Sequence, residues 1–259
     1  MRKLPYASAA ICCALALCGC GHLQNDRDIL FQTSTIGALM EGDYDGHITC
    51  KELKTHGDLG IGTFDALDGE MIVLEGKVYQ IRADGKAYAP EGSLTTPFAA
   101  VTFFNADDTI LLDRQLDYRE LETYLDSLLP TGNIPYAIQI KGLFDYMKTR
   151  SVPKQGKPYP RLVEVVKDQP TYEFHNVRGT VVGFRLPGYM SGINVPGYHL
   201  HFITEDRRAG GHVLDCSTRN LTIQLDHTHA FFMALPQRRS FYELHIVNTK
   251  ETEVESVEK

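Results

Sequence analysis

The 259-residue sequence contains no tryptophan, no internal repeat, no low-complexity segment and no cluster of basic residues. Lysine and arginine together number 26, against 33 aspartates and glutamates, so the formal net charge is −7. A protein that binds the nucleic-acid backbone presents a basic surface, and this charge balance therefore argues against nucleic acid as a partner. The length is sufficient for one large domain or two small ones with a buried core.

Cysteine is scarce beyond the first twenty residues. Four of the six cysteines lie within that stretch, which leaves only Cys50 and Cys216. In an exported protein these two could form a disulfide, but one pair at this spacing predicts no particular bridge, and buried thiols are the commoner outcome. Cys216 follows His212 by four residues, a spacing that does not by itself make it a metal ligand.

Residues 1–19 have the composition of a signal peptide. Two basic residues precede the apolar run Ala7–Leu17, which is too short to cross a bilayer as a helix. The run ends in Leu17-Cys18-Gly19-Cys20, which resembles the lipobox of bacterial lipoproteins. We therefore expect an exported protein that is lipidated at Cys20 and attached to the membrane, with residues 20–28 as a tether. The alternatives are cleavage without lipidation and a cytoplasmic protein with a spurious apolar start.

The strongest chemical signal is Gly197-Tyr198-His199-Leu200-His201-Phe202. Side chains alternate between the faces of a strand, so His199 and His201 point the same way, about 7 Å apart. The polar run Thr204–Ala209 predicts a hairpin loop, which would bring His212 beside the pair. Three converging imidazoles can hold Zn²⁺ or another borderline divalent metal and leave positions open for substrate. The alternative is that these histidines are solvated on a polar strand face.

Patterns elsewhere predict many strands and few helices. Strands are expected at 30–33, 71–74, 77–81, 98–104, 136–147 and 172–184. Helices are expected at 36–40, at 50–56 with Thr49 as its cap, and at 117–129. A boundary near residue 170 would separate an N-terminal domain (29–170) from a C-terminal domain (171–259). We therefore expect a two-domain α/β or α+β fold with mixed β-sheets and a metal site on strands of the C-terminal half.

Two rival interpretations of the histidines arise from motif shape. His199-x-His201 followed by Glu205 resembles the first cupin motif and would indicate a metal-dependent oxygenase. The position of Gly192 and the lack of a second cupin motif downstream argue against it. Asp226-His227-Thr228-His229 is a second histidine pair, but it lacks a third ligand at comparable spacing. We expect this segment to be a strand end with surface histidines.

Several blocks in order and at matching spacing resemble the α-acetolactate decarboxylase family. The blocks are Phe31–Leu39, Asp43–Gly46, Gly57–Phe64, Leu67–Glu70 and Gly192–Phe202. The resemblance extends from Ile29 to the C-terminus and implies a two-domain fold with mixed sheets. It also implies a zinc ion held by His199, His201 and His212, and the decarboxylation of acetolactate to acetoin and CO₂ in the acetoin and 2,3-butanediol pathway.

The same resemblance implies that three further side chains complete the catalytic site: Glu70, Arg150 and a glutamate from the extreme C-terminus. Register favours Glu258 for the last, with Glu255 as the alternative. Thr63 resembles a family threonine near the substrate. From the residues alone, Glu70 could equally be an exposed strand start and Arg150 a surface charge, and terminal glutamates are usually disordered.

The chemistry of the substrate agrees with this set of residues. Acetolactate is a β-keto acid, and a metal that chelates its hydroxyl and carbonyl oxygens would withdraw electrons as CO₂ leaves. Glu70 or the tail glutamate could then supply the proton, and Arg150 suits the substrate carboxylate or the enediolate oxygen. The competing functions are a cupin-like oxygenase and a catalytically inactive, lipid-anchored protein that binds a small molecule. A homodimer is compatible with the sequence.

Overall fold

The computed structural model describes residues 28–246, 253, 254 and 257, and in that part of the chain strands hold far more residues than helices do. In chain order, the strands are β1 (Ile29–Thr33), β2 (Ile48–Thr49), β3 (Leu59–Thr63), β4 (Glu70–Leu74), β5 (Lys77–Ile81), β6 (Ala87–Tyr88), β7 (Thr95–Thr96), β8 (Ala99–Thr102), β9 (Asp108–Asp113), β10 (Tyr136–Arg150), β11 (Thr171–Leu186), β12 (Gly197–Thr204), β13 (Gly210–His227) and β14 (Ala230–Ala234). The α-helices are α1 (Ile36–Met40), α2 (Cys50–Leu53), α3 (Tyr118–Leu128), α4 (Leu162–Val165) and α5 (Arg239–Tyr242). The expected architecture of mixed sheets with few helices is confirmed.

Two large sheets organise these strands. The first has seven strands in the order β14-β1-β8-β3-β4-β5-β6, with β14 parallel to β1 and the other neighbours antiparallel. The second has the order β10-β11-β12-β13-β9, and β10 also pairs with β13, so four of its strands form a closed ring. Each sheet takes strands from both sides of residue 170. The division into domains at that residue stays a prediction.

Local sequence signals explain the helices. In α3, Asp117 accepts from the backbone N–H of Glu120, and the Glu120 side chain accepts from that of Asp117, which is a capping box. Leu121 and Leu125 are buried beneath this helix, as its apolar spacing predicts. Helix α2 has its predicted cap, Thr49, but ends at residue 53 rather than 56.

The early end of α2 has a steric cause. His56 N–H bonds to the Leu53 carbonyl in a tight turn. Gly57 then passes so close to β8 that a Cβ on it would lie 2.5 Å from the Thr102 nitrogen. The chain must therefore leave the helical path before this point.

The faces of the two sheets pack on each other through one apolar layer. Ile72 and Leu74 of the first sheet and Val182, Phe184 and Ile203 of the second belong to the same buried cluster. Burial of these side chains fixes how β4 lies over β12, and that placement determines which polar groups meet at the end of the layer.

Cys50 and Cys216 are both buried and free, so the commoner outcome, two core thiols, is confirmed. Within the described ranges, none of the helices has both the length and the apolar character that a bilayer crossing requires.

Candidate active site

Three histidines meet on the second sheet where it faces the first. His201 on β12 and His212 on β13 are paired residues, and His199 lies on the same face of β12. The ring centroids are 5.2 Å apart for His199 and His201, 5.0 Å for His199 and His212, and 5.3 Å for His201 and His212. All three side chains are buried, and one ring nitrogen of each lies within 4.8 Å of the others. The predicted hairpin and triad are confirmed.

Burial keeps His199 and His201 uncharged, as metal ligands must be. It lowers the pKa of His199 to about 3, with a further contribution from the Arg150 guanidinium. Burial likewise holds the pKa of His201 well below its ordinary value, with the His199 ring as the next cause. His199 and His201 therefore offer nitrogen lone pairs across the physiological pH range.

A backbone carbonyl from the other sheet orients His201. Its Nδ1 lies 2.9 Å from the carbonyl oxygen of Met71 on β4, so Nδ1 carries the proton and donates it. Among the described residues, the buried Nε2 has no hydrogen-bond partner, and its nearest carboxylate oxygen is Glu70 Oε2 at 3.6 Å. A fixed tautomer with a buried, available second nitrogen is the usual arrangement of a metal-bound histidine, so the residues present fit a divalent metal.

Gly211 allows β13 to come close to β10 beside the triad. Its φ is +144°, and a Cβ on it would lie only 2.3 Å from the Arg150 carbonyl oxygen. A side chain at this position would push the strands apart at the point where Arg150 pairs with His212. The glycine before His212 therefore positions the third histidine.

Glu70 and Arg150 come from different sheets and meet beside the histidines. Glu70 begins β4 and Arg150 ends β10. Arg150 Nη1 lies 3.4 Å from Glu70 Oε1, and the two side chains are 3% and 9% exposed for the arginine and the glutamate, respectively. Neither the exposed strand start nor the surface charge, which the residues alone left open, is what the structure shows.

These polar groups line one side of a small pocket of about 350 Å³. Its polar side includes Thr63, Glu70, Arg150 and His199. Thr63 pairs with Glu70 across β3 and β4, and its hydroxyl donates to the Gly69 carbonyl at 2.7 Å. The rest of the wall is mostly apolar and consists of Ile36, Leu39, Gly62, Leu67, Phe98, Val152 and Leu162. The pocket thus combines a mostly apolar wall with a few converging polar groups, as ligand sites do.

The C-terminal tail, by which we mean Glu253, Val254 and Val257, also reaches this site. Val254 and Val257 are buried in the apolar cluster around the pocket. The Val257 carbonyl accepts a hydrogen bond of 2.9 Å from Arg150 Nη2. Glu255, Glu258 and the expected lipidation site Cys20 lie outside the described residues.

The rival ligands lie elsewhere. Glu205, which the cupin interpretation requires, is exposed in the hairpin loop. His227 pairs with Asp108 at 3.0 Å and His229 is exposed, as expected for a strand end. In the described part of the chain, the His199, His201 and His212 group is the one set of at least three such side chains arranged to hold a metal.

Sequence reasoning missed the backbone groups of the site. The carbonyls of Met71 and Val257 orient His201 and Arg150, respectively. It also missed the apolar wall from α1 and α4. The apolar residues of these short helices gave a signal for burial, but not for the pocket that they would line.

Comparison with known proteins gives a consistent result. A family model described as alpha-acetolactate decarboxylase matches residues 30–248. The alpha-acetolactate decarboxylase of Methanosarcina mazei is 52% identical over 235 residues, which cover 91% of this chain and 82% of the relative. That of Bacillus subtilis is 42% identical over 227 residues, covering 87% and 89%.

Solved structures agree with these sequence matches. The crystal structure of alpha-acetolactate decarboxylase from Bacillus subtilis strain 168 has a TM-score of 0.87 at 41% identity, and the match covers 89% of this chain and 99% of that one. A Staphylococcus aureus protein of unknown function, titled as similar to alpha-acetolactate decarboxylase, has a TM-score of 0.83 at 31% identity, with 89% and 100% covered.

Proposed function

This chain belongs to the alpha-acetolactate decarboxylase family, and on that premise we propose that it converts acetolactate to acetoin and CO₂ with a zinc ion held by His199, His201 and His212. The observation that carries the proposal is the convergence of three buried imidazoles beside Glu70 and Arg150, which line one pocket together with His199. Lewis-acid polarisation of the substrate's hydroxyl and ketone oxygens is the chemistry that such an ion supplies when bound.

Arg150 binds and orients the substrate. Its side chain is 3% exposed, and its guanidinium is positioned by Glu70 on one side and the Val257 carbonyl on the other. A planar guanidinium suits the substrate carboxylate or the oxygen on which negative charge develops as CO₂ leaves. Because the group is fixed before substrate arrives, little reorganisation is needed during the reaction.

A carboxyl group in its protonated form delivers a proton to the carbon that has lost CO₂. Glu70 lies in the pocket with Oε1 toward Arg150 and Oε2 toward His201. We assign the proton transfer to Glu70 or to the tail glutamate, with Glu258 preferred over Glu255. Thr63, on the strand beside Glu70, contributes to the polar side of the substrate pocket.

The apolar wall keeps water away from the reacting carbon. Leu39 and Leu162 close the pocket on the side of the helices, and Phe98 and Val152 complete the wall on the side of the sheets. With water excluded, the charge of Arg150 acts on the substrate at a lower effective dielectric constant. This leaves the protein's own carboxyl group as the proton donor at that face.

The test uses protein that starts after Cys20, with metal content and acetoin release from racemic acetolactate as the two measurements. We expect about one zinc per chain, and we expect a chelator to abolish acetoin formation and added zinc to restore it. His199→Ala should lose both metal and turnover, whereas His229→Ala, an exposed histidine, should keep both. Bound zinc without acetoin formation would overturn the assignment of acetolactate as substrate. Bound iron with oxygen consumption would favour an oxygenase instead.

For the location of the protein, we propose export through residues 1–19 and lipidation at Cys20. The support is the basic start, the apolar run and the Leu17-Cys18-Gly19-Cys20 ending. Cells grown with labelled palmitate should yield labelled protein in the membrane fraction. A Cys20→Ala protein that still carries the label would contradict lipidation at this residue.

A further inference from the structure

The side chain of Arg161 joins three separate segments at the edge of the pocket. Its Nε and Nη2 donate to the two carboxylate oxygens of Glu41, at 3.2 and 2.6 Å. Nη2 also donates to Glu253 Oε2 at 3.0 Å. A forked pair of this kind fixes direction as well as distance, because both guanidinium nitrogens must align with the carboxylate.

Two of the joined segments carry the apolar wall of the pocket. Glu41 is the C-cap of α1 and Arg161 is the N-cap of α4. Leu39 of α1 and Leu162 of α4 line the pocket directly. The fork between the ends of these helices therefore sets the separation of two residues against which the substrate must pack.

The third joined segment, the C-terminal tail, contacts Arg150. One residue beyond Glu253, Val254 is buried in the same apolar cluster as Leu39 and Leu162, and Val257 also belongs to that cluster. The Val257 carbonyl accepts from Arg150 Nη2 at 2.9 Å. A continuous set of contacts thus connects Arg161 to the guanidinium that we assign to the substrate.

The exposure of these ion pairs indicates that they position nearby segments rather than stabilise the whole fold. The side chains of Arg161, Glu41 and Glu253 are 38%, 23% and 31% exposed. Ion pairs this accessible to water contribute little to the free energy of unfolding. Their loss should therefore change the placement of the tail and the wall much more than it changes overall stability.

We propose that Arg161 is a positioning residue of the active site. By holding Glu41 and Glu253 together, it fixes α1, α4 and the tail so that the Val257 carbonyl keeps the Arg150 guanidinium aimed at the substrate carboxylate. The proposal rests on the function proposed above, since it gives a consequence for substrate only if Arg150 binds that carboxylate.

The experiment compares Glu253→Gln, Arg161→Met and the double variant with wild type, all loaded with zinc. Glu253→Gln takes the negative charge out of the link between Arg161 and the tail, whereas Arg161→Met removes the links to both Glu41 and Glu253. We expect KM for acetolactate to rise about tenfold in Glu253→Gln, with a smaller change in kcat, because Arg150 already binds the carboxylate in the ground state. The double variant should match Arg161→Met, and Arg161→Lys, which keeps the charge without the fork, should be intermediate.

The matched control is Arg239→Met, which removes an exposed arginine paired with Glu243 one helical turn away; it should leave KM, kcat and zinc content unchanged. Losses in the double variant that multiply those of the two singles would show that Arg161 and Glu253 act separately and would overturn the proposal. So would unchanged kinetics in Glu253→Gln, or kinetic losses matched by a lowered Tm or lost zinc. Wild type that forms no acetoin would instead overturn the proposed function.

Discussion

Removing one member of the buried Glu70–Arg150 pair should lower the free energy of unfolding more than removing both members. The two side chains are 9% and 3% exposed, and 3.4 Å separates Oε1 from Nη1. Arg150→Met leaves the Glu70 carboxylate without this partner in a site that water barely reaches. Removal of one member of a buried ion pair costs about 3–5 kcal/mol, so we expect a loss of that size in the free energy of unfolding.

The double variant Glu70→Gln, Arg150→Met should recover part of this loss. The introduced glutamine carries no charge that burial could penalise, and the introduced methionine fills a comparable volume with apolar atoms. The hydrogen bond from Arg150 to the Val257 carbonyl stays absent, which leaves a deficit of about 1–3 kcal/mol. We therefore expect the double variant to be more stable than Arg150→Met by about 2 kcal/mol.

The assay is urea unfolding of metal-free protein in chelator, because bound metal would add its own stabilisation to the folded state. Arg239→Met provides the scale for an exposed pair: its side chain is 88% exposed, and we expect a change of at most about 0.5 kcal/mol. If the losses of Glu70→Gln and Arg150→Met, each measured alone, simply add in the double variant, the two residues are not coupled. That result would refute the conclusion that Glu70 and Arg150 form a coupled, buried ion pair.

Two further predictions concern Asp226 and Gly211, at opposite ends of β13. Burial raises the pKa of Asp226 to about 6, with Asp107 as a contributing charge. Because this pKa lies above that of the unfolded chain, the folded state holds a proton that the unfolded state has lost. The free energy of unfolding therefore falls as pH rises from about 4 to 6. Asp226→Asn should remove that fall and be more stable than wild type at pH 7, by on the order of 2 kcal/mol, as urea unfolding at several pH values would show; a difference that is constant with pH would contradict the assignment. Gly211→Ala should lower zinc affinity, measured by competition with a chelator, because its Cβ would press on the Arg150 carbonyl; unchanged affinity would show that the strands can separate without moving His212.

The metal triad could be predicted from the residues because its geometry is local. Alternation along β12 places His199 and His201 on one face, and the hairpin loop of polar residues returns the chain so that His212 pairs with His201. Both rules act over fewer than about twenty residues and need no knowledge of the rest of the fold. The same is true of α3, whose cap and apolar spacing are readable in sequence.

Glu70 and Arg150 had no such local signal. They are 80 residues apart in the chain and meet only because β4 and β10 belong to two sheets that pack on each other. A glutamate after an Asp-Gly turn and an arginine at a strand end are ordinary surface patterns, so only the family resemblance implied their roles. The parallel pairing of β14 with β1 escaped prediction for a related reason: it joins residues about 200 positions apart.

The backbone groups of the site could not be predicted from the sequence at all. The Met71 carbonyl selects the tautomer of His201, and the Val257 carbonyl orients Arg150. Every residue has a carbonyl, so the identity of a side chain at either position carries no record of the contact that its backbone makes. What the sequence does encode is the burial of Met71 and Val257, which places those carbonyls where they act. Substitutions that preserve burial at these two positions should therefore leave the site intact, although the residues contribute no side-chain chemistry to it.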